Sequence, residues 1–202
     1  MLQMDYSHYY WQDEAIRLRA IAPEDWESCY ASAFDTPARQ MLECAIELPP
    51  TLSSARRFAE ENADFLSSNR RIMFTIESLN EDIIGGVNLN SMDERNGTFS
   101  IGIVIDQPHR GKGFGTRAVH MLLKYAFFER RLHKFNDYVL EGNEASAAML
   151  RKVGCVQEGV RRQVFYLNGK YHDSILFGLT KDEYIDQLRG LPVQDSTFPP
   201  IT

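Results

Sequence analysis

The sequence predicts a mixed α/β sheet, with strands and helices in the order β-α-α-β-β-β-α-β-α-β-β. Three observations predict it. Residues 71–78, 83–90 and 98–105 read as three strands in succession, separated by turn-forming runs at 79–82 and 92–97, which is the signature of an antiparallel meander. The third strand leads through Arg110-Gly111-Lys112-Gly113-Phe114-Gly115-Thr116 into a long amphipathic helix. Asn168-Gly169 then stands between two further strand-like segments, a strong hairpin signal.

Each element has its own local reason. Residues 1–14 read as an aromatic-rich arm, and residues 15–21 alternate apolar and basic as a strand does. Pro23-Glu24-Asp25 opens a helix to about residue 34, with proline early and acids in the first turn. Residues 37–50 are compatible with a short helix ending at Pro49-Pro50, and Thr51 or Ser53 can cap a helix over residues 55–65. The amphipathic helix starts near Thr116 and runs to about Phe128, and Arg130-Arg131-Leu132-His133-Lys134 places positive charge where its dipole favours it. A strand over 134–140 follows. Asn143 caps a helix over 144–153, which Gly154 closes. Strands over 155–166 and 171–179 complete the sheet. The chain thus divides into an arm (1–14), one domain (15–185) and a tail (186–202), with three prolines in its last thirteen residues.

The 202 residues suffice for one domain with a substantial core, and 44% apolar with 25% charged residues is the balance of a soluble globular chain. No apolar run approaches the roughly 18 residues of a membrane span, and the N-terminus lacks the pattern of a signal peptide. Cys29, Cys44 and Cys155 are odd in number and widely spaced, which predicts neither a disulfide framework nor a metal site and fits a reducing cytoplasm. A net charge of −6 argues against nucleic acid as a partner and suits a cationic substrate such as an amine.

The glycine segment carries the chemistry. Three glycines at alternate positions let a ligand approach the backbone, and the helix start presents unpaired N–H groups at a positive dipole end. Arg110 and Lys112 add charge, so the segment is a cradle for phosphate or pyrophosphate. A Rossmann fingerprint would need a glycine where Thr116 stands, and no Walker loop is present. The simpler alternative is a glycine-rich turn with no ligand.

Arg110-x-x-Gly113-x-Gly115 resembles the coenzyme A loop of the GNAT acetyltransferases. Asn143-x-x-Ser146, Leu150 to Cys155, Glu158-Gly159 and Tyr166 to Asp173 look like the RimJ/RimL-type members. Two positions depart from that pattern: Cys155 replaces an aromatic residue, and Ser100 replaces an acid. The resemblance implies acetyl-CoA as co-substrate, no metal, and a primary amine as acceptor, either a protein N-terminus or a small molecule. It implies that Ile103, Val104 and Ile105 offer backbone groups to the pantetheine arm and the thioester carbonyl, and that N–H groups of Gly111, Lys112, Gly113, Phe114, Gly115 and Thr116 hold the pyrophosphate. Asn143 would bind the pantetheine amides, Ser146 would meet the sulfur, and Lys152 would reach the adenosine phosphates. On residue chemistry alone Asn143 and Ser146 also read as a helix start, and Lys152 as a solvated helix face.

Acyl transfer to an amine needs a proton acceptor. Glu77, Asp106, Glu141 and Glu158 are the carboxylate candidates, His109 lies in the loop, and a water relay is the default. The arm from Tyr6 to Trp11 reads as a lining of the acceptor cleft, a homodimer contact, or simply a packed or disordered arm. Two rival classes remain at this point: a module of the same fold that binds acyl-CoA without turnover, and a nucleotide-dependent oxidoreductase.

Overall fold

The structure is a computed structural model that describes residues 5–65 and 71–190. Chain order is β1 (Ile16–Ala20), α1 (Trp26–Ser32), α2 (Thr36–Glu43), α3 (Leu52–Asn62), β2 (Ile72–Ser78), β3 (Ile83–Asp93), β4 (Thr98–Ile105), α4 (Phe114–Lys124), β5 (Lys134–Leu140), α5 (Glu144–Lys152), β6 (Val156–Leu167), β7 (Lys170–Thr180) and α6 (Lys181–Gly190). Among the described residues the strands form one sheet in the order β1-β2-β3-β4-β5-β7-β6. Every neighbouring pair is antiparallel except β4 with β5.

That parallel pair matters most. β3 and β4 pair in one register from Gly85↔Ile105 to Asn90↔Ser100 and, after a shift, again at Asp93↔Thr98, whereas β4 and β5 pair only at Thr98↔Lys134 and Phe99↔Phe135. Beyond Phe99 the pairing ends, and the two strands leave a gap on the side of the glycine segment.

Alternation along the strands sorts residues onto two faces. Phe74, Ile76, Val87, Leu89, Phe99 and Ile101 face a core closed by Ala118, Val119, Leu122 and Leu123 of α4. Leu122 and Leu123 are fully buried and contribute about 1.5–3 kcal/mol each. After Lys124 the helix widens into a π turn over Tyr125–Glu129. The other face is covered by α1 and α3, with Ala55 and Ala59 buried.

The arm packs rather than dangles. Trp11 lies 4.8 Å from the ring of Phe74 and 4.9 Å from that of Tyr125, and its carbonyl accepts from Leu18 N–H at 2.7 Å. Residues 1–4 and 191–202 lie outside the described residues, so the expected tail is described only up to Gly190. There the expectation is corrected. Residues 186–190 belong to α6, whose Tyr184 is fully buried. Thr180 and Glu183 form the reciprocal cap that starts this helix: Thr180 N–H donates to Glu183 Oε2 at 2.8 Å, and Glu183 N–H donates to Thr180 Oγ1 at 3.3 Å. Within 37–50 a helix does form, but it ends at Glu43, and α3 ends at Asn62 rather than Phe65.

Candidate active site

The glycine segment folds as a cradle. α4 begins at Phe114, two residues before the expected start, and its N-cap is Gly113 at φ +84° with no side chain capping the first turn. Gly111 is also left-handed, at φ +74°, a conformation costly for residues with a Cβ. A Cβ added at either glycine would meet no atom of the chain within 4 Å, so the loop backbone faces open space. The N–H groups of the first turn thus lack side-chain partners beside an accessible surface. Lys112 is exposed above it, Thr116 lies in the first turn, and Phe114 packs partly into the core.

Arg110 is placed differently from the expected free cation. Its Nε donates to Ile105 O at 2.7 Å and its Nη2 is paired with Asp35, the N-cap of α2. The guanidinium therefore ties the loop to the end of β4 and to α2.

Three expected elements converge at Gly115. A Cβ there would sit 3.5 Å from Ile103 Cδ1, Ile105 Cγ1 and Met149 Sδ, so the start of α4, the end of β4 and the middle of α5 meet at one point. Asn143 caps α5, its side chain accepting from Ser146 N–H at 3.2 Å. Asn143 and Ser146 thus lie on the first turn of the helix that borders the gap. Lys152, at the other end of α5, is exposed. It is close enough to His120 to add to the burial that lowers that imidazole's pKa.

A second space lies on the opposite face of the sheet. A cavity of about 440 Å³ is lined by Cys29 of α1, Phe58 of α3, Thr75 of β2, and Val104 and Asp106 at the end of β4. Its walls carry the carboxylates of Asp25, Glu43, Glu47 and Asp106 and the guanidinium groups of Arg39 and Arg71, and burial, then Asp25 and Asp106, pushes the Cys29 thiol up to about 11.

The carboxylate candidates separate by environment. Glu77 is committed to two arginines, with Arg17 Nη1 and Arg19 Nε each at 2.7 Å. Glu158 is paired with Lys134 Nζ at 2.6 Å, and Glu141 accepts from Asp173 N–H at 3.3 Å. Asp106 has no side-chain hydrogen bond among the described residues, and it faces the cavity. Burial raises its pKa against the pull of His109 and Arg110. One acid was missed by sequence reasoning. Asp137 of β5 accepts from Tyr138 N–H at 2.7 Å and, across the gap, from Ile101 N–H. The signal was there in the alternation, which puts Asp137 on the face of Phe135 and Val139. Among the described residues, no three His, Cys, Asp or Glu side chains stand close enough to hold a metal ion, and no helix is long and apolar enough to cross a membrane.

The acetyltransferase (GNAT) domain family matches residues 15–156. An uncharacterized, SPbeta prophage-derived N-acetyltransferase of Bacillus subtilis, YokL, is 33% identical over 175 residues, covering 87% of this chain and 95% of that one. A spermidine N-acetyltransferase from Vibrio cholerae, solved with CoA and spermine, superposes with a TM-score of 0.75 at 22% identity, over 86% of this chain and 99% of that chain. RimL, a ribosomal L7/L12 α-N-protein acetyltransferase solved with coenzyme A, superposes with a TM-score of 0.74 at 22% identity, over 85% and 97% of the two chains.

Proposed function

The chain belongs to the GNAT acetyltransferase family, and on that premise we propose how its residues move an acetyl group from acetyl-CoA to a primary amine. The observation that carries the reading is the parting of β4 and β5 after Phe99 beside an uncapped helix start. A buried strand edge with no strand partner needs other hydrogen-bonding groups. The amides of a pantetheine arm supply them along Ile103, Val104 and Ile105, with Asn143 on the far side. The pyrophosphate rests on N–H groups of residues 111–116, with Lys112 as the free cation, Arg110 holding the loop, and Lys152 toward the adenosine end.

The acceptor enters from the cavity on the other face. Its nitrogen lone pair attacks the thioester carbonyl, the C–S bond breaks, and the sulfur leaves as thiolate with the Ser146 hydroxyl as its hydrogen-bond donor. The amine's proton passes to Asp106, whose burial raises its affinity for a proton. The products are an amide and coenzyme A. Four carboxylates against two arginines on the cavity wall favour a small cationic amine over a protein N-terminus. The fold neighbour solved with spermine is in keeping with this. The same reading includes action in the cytoplasm, in keeping with three unbridged cysteines. It also includes a homodimer, supported by Val160, Val164, Tyr166 and Tyr171 exposed on the β6–β7 hairpin.

Steady-state CoA release from acetyl-CoA, with spermidine, spermine and a peptide carrying a free N-terminus, tests the function. Polyamines should exceed the peptide in kcat/KM by about tenfold, the equivalent of about 1.4 kcal/mol. A faster peptide would overturn the acceptor assignment. CoA binding without release for any amine would favour a non-catalytic module.

A further inference from the structure

We propose that Asp137 selects the acyl donor: its carboxyl floors the blind end of the gap between β4 and β5, admits an acetyl group and refuses longer chains. The proposal rests on the reading of that gap as the thioester site. Backbone pairing between the strands stops at Phe99↔Phe135, and two side chains bridge them for one further step. Ser100 Oγ donates to Asn136 O at 2.6 Å, and the Asp137 carboxylate accepts from Ile101 N–H. These bridges end the gap where a wider opening would leave the Ile101 amide unpaired. Ser100, one of the two departures from the family pattern, thus has a strand-bridging task in this chain.

In the proposed site the acyl group lies at this floor, beyond the thioester carbonyl held by the end of β4. From Ile105, beside the glycine loop, to Ile101 is four strand residues, about 13 Å at the usual rise. A pantetheine arm anchored by its pyrophosphate at the loop runs down this edge and ends at Ile101 and Asp137. The carboxyl has no cation to neutralise it. Phe177 faces it from β7, Ile101 from β4, Tyr138 adjoins it on β5, and the nearby Cys155 thiol before β6 is itself held protonated, pushed up to about 12 by burial and then by Asp137. Burial likewise pushes Asp137 up to about 7. Part of the residue remains accessible to solvent. An added methylene on the acyl chain would strip that water from a polar group and give it no hydrogen bond in return.

The test compares kcat/KM for acetyl-CoA, propionyl-CoA and butyryl-CoA with one polyamine acceptor. The parent should prefer acetyl over propionyl by about 10–200-fold, the usual discrimination for one methylene. Asp137→Ala should cut that preference about tenfold by opening the floor. Asp137→Ser shortens the side chain yet keeps an acceptor for the Ile101 amide, so it guards against a folding failure and should cut the preference too. Asp137→Asn, of equal size, should keep the preference and lose any change in it between pH 6 and pH 8. A folded Ser variant that binds acetyl-CoA like the parent and discriminates like the parent would overturn the proposal. Failure of the underlying reading looks different: no variant and no parent would release CoA from any donor.

Discussion

Two pairs of acids on this sheet live in opposite surroundings. Glu77 and Asp25 lie under a lattice of guanidinium groups: Arg17 and Glu77 are only 7% and 6% exposed, and Arg19 grips Asp25 through two nitrogens at 2.8 and 2.9 Å. Burial alone would raise Asp25, but hydrogen bonds from Arg19, Ala22 N–H and Thr75 outweigh it and hold the carboxyl below the usual range. Asp106 and Asp137 are also drawn into the protein, yet neither forms an ion pair among the described residues, and both are raised. The first pair is spent on tying β1, β2 and the start of α1 together. The second pair borders the two spaces that meet at β4. Perturbed carboxyls without a structural partner point to chemistry, and paired ones to architecture.

Substitutions can break this contrast. Asp106→Asn should lower kcat/KM by about 10²–10⁴-fold, the usual effect of losing a general base, with CoA affinity retained in calorimetry. A loss below about tenfold would return the proton to a water relay and place Asp106 among ordinary cavity-lining residues. Glu77→Gln should cost about 3–5 kcal/mol in urea unfolding, because it strands buried arginine charge, while turnover per folded molecule stays at the parent value. Gly113→Ala should raise the Kd for CoA about tenfold, or about 1.4 kcal/mol, since its Cβ enters the open space over the loop. Its left-handed strain should cost stability by about 1–2 kcal/mol in the same variant. Ser146→Ala should have the smallest effect, lowering kcat a few-fold with KM for acetyl-CoA steady, since thiolate stabilisation is felt in the transition state.

The elements with strong periodicity and clear caps were legible in the sequence. The meander, the glycine segment, α5 with its Asn143 cap and the hairpin at Asn168-Gly169 all stand where alternation and turn chemistry put them. α6 was missed although Thr180-x-x-Glu183 carries a capping box, because its polar face masks its buried anchor, Tyr184. Long-range pairing was illegible. Nothing local to Arg110 announces Asp35, and nothing local to Trp11 announces Phe74 and Tyr125. Nor does local sequence say where two parallel strands stop pairing, so the depth of the gap, and the acid at its floor, emerged only from the register.

Burial of the Asp137 carboxyl, which outweighs its backbone hydrogen bonds, also couples folding to protons. Released into the unfolded chain, Asp137 reverts toward the ordinary carboxyl value of 3.8, whereas in the fold it holds its proton until about pH 7. Between these two values the folded state binds more protons than the unfolded one. Its contribution to stability is therefore full below about pH 4, declines as pH rises, and is gone above about pH 7. Acids held low by hydrogen bonds, such as Glu14 and Glu183, have the opposite slope, so the parent's own pH curve mixes both. Subtracting the melting curve of Asp137→Asn isolates the titration of this buried carboxyl: the variant should gain on the parent in Tm from pH 5 to pH 8. The strand junction that shapes the site thereby makes the whole fold a proton-binding equilibrium, tighter in mild acid than in mild base.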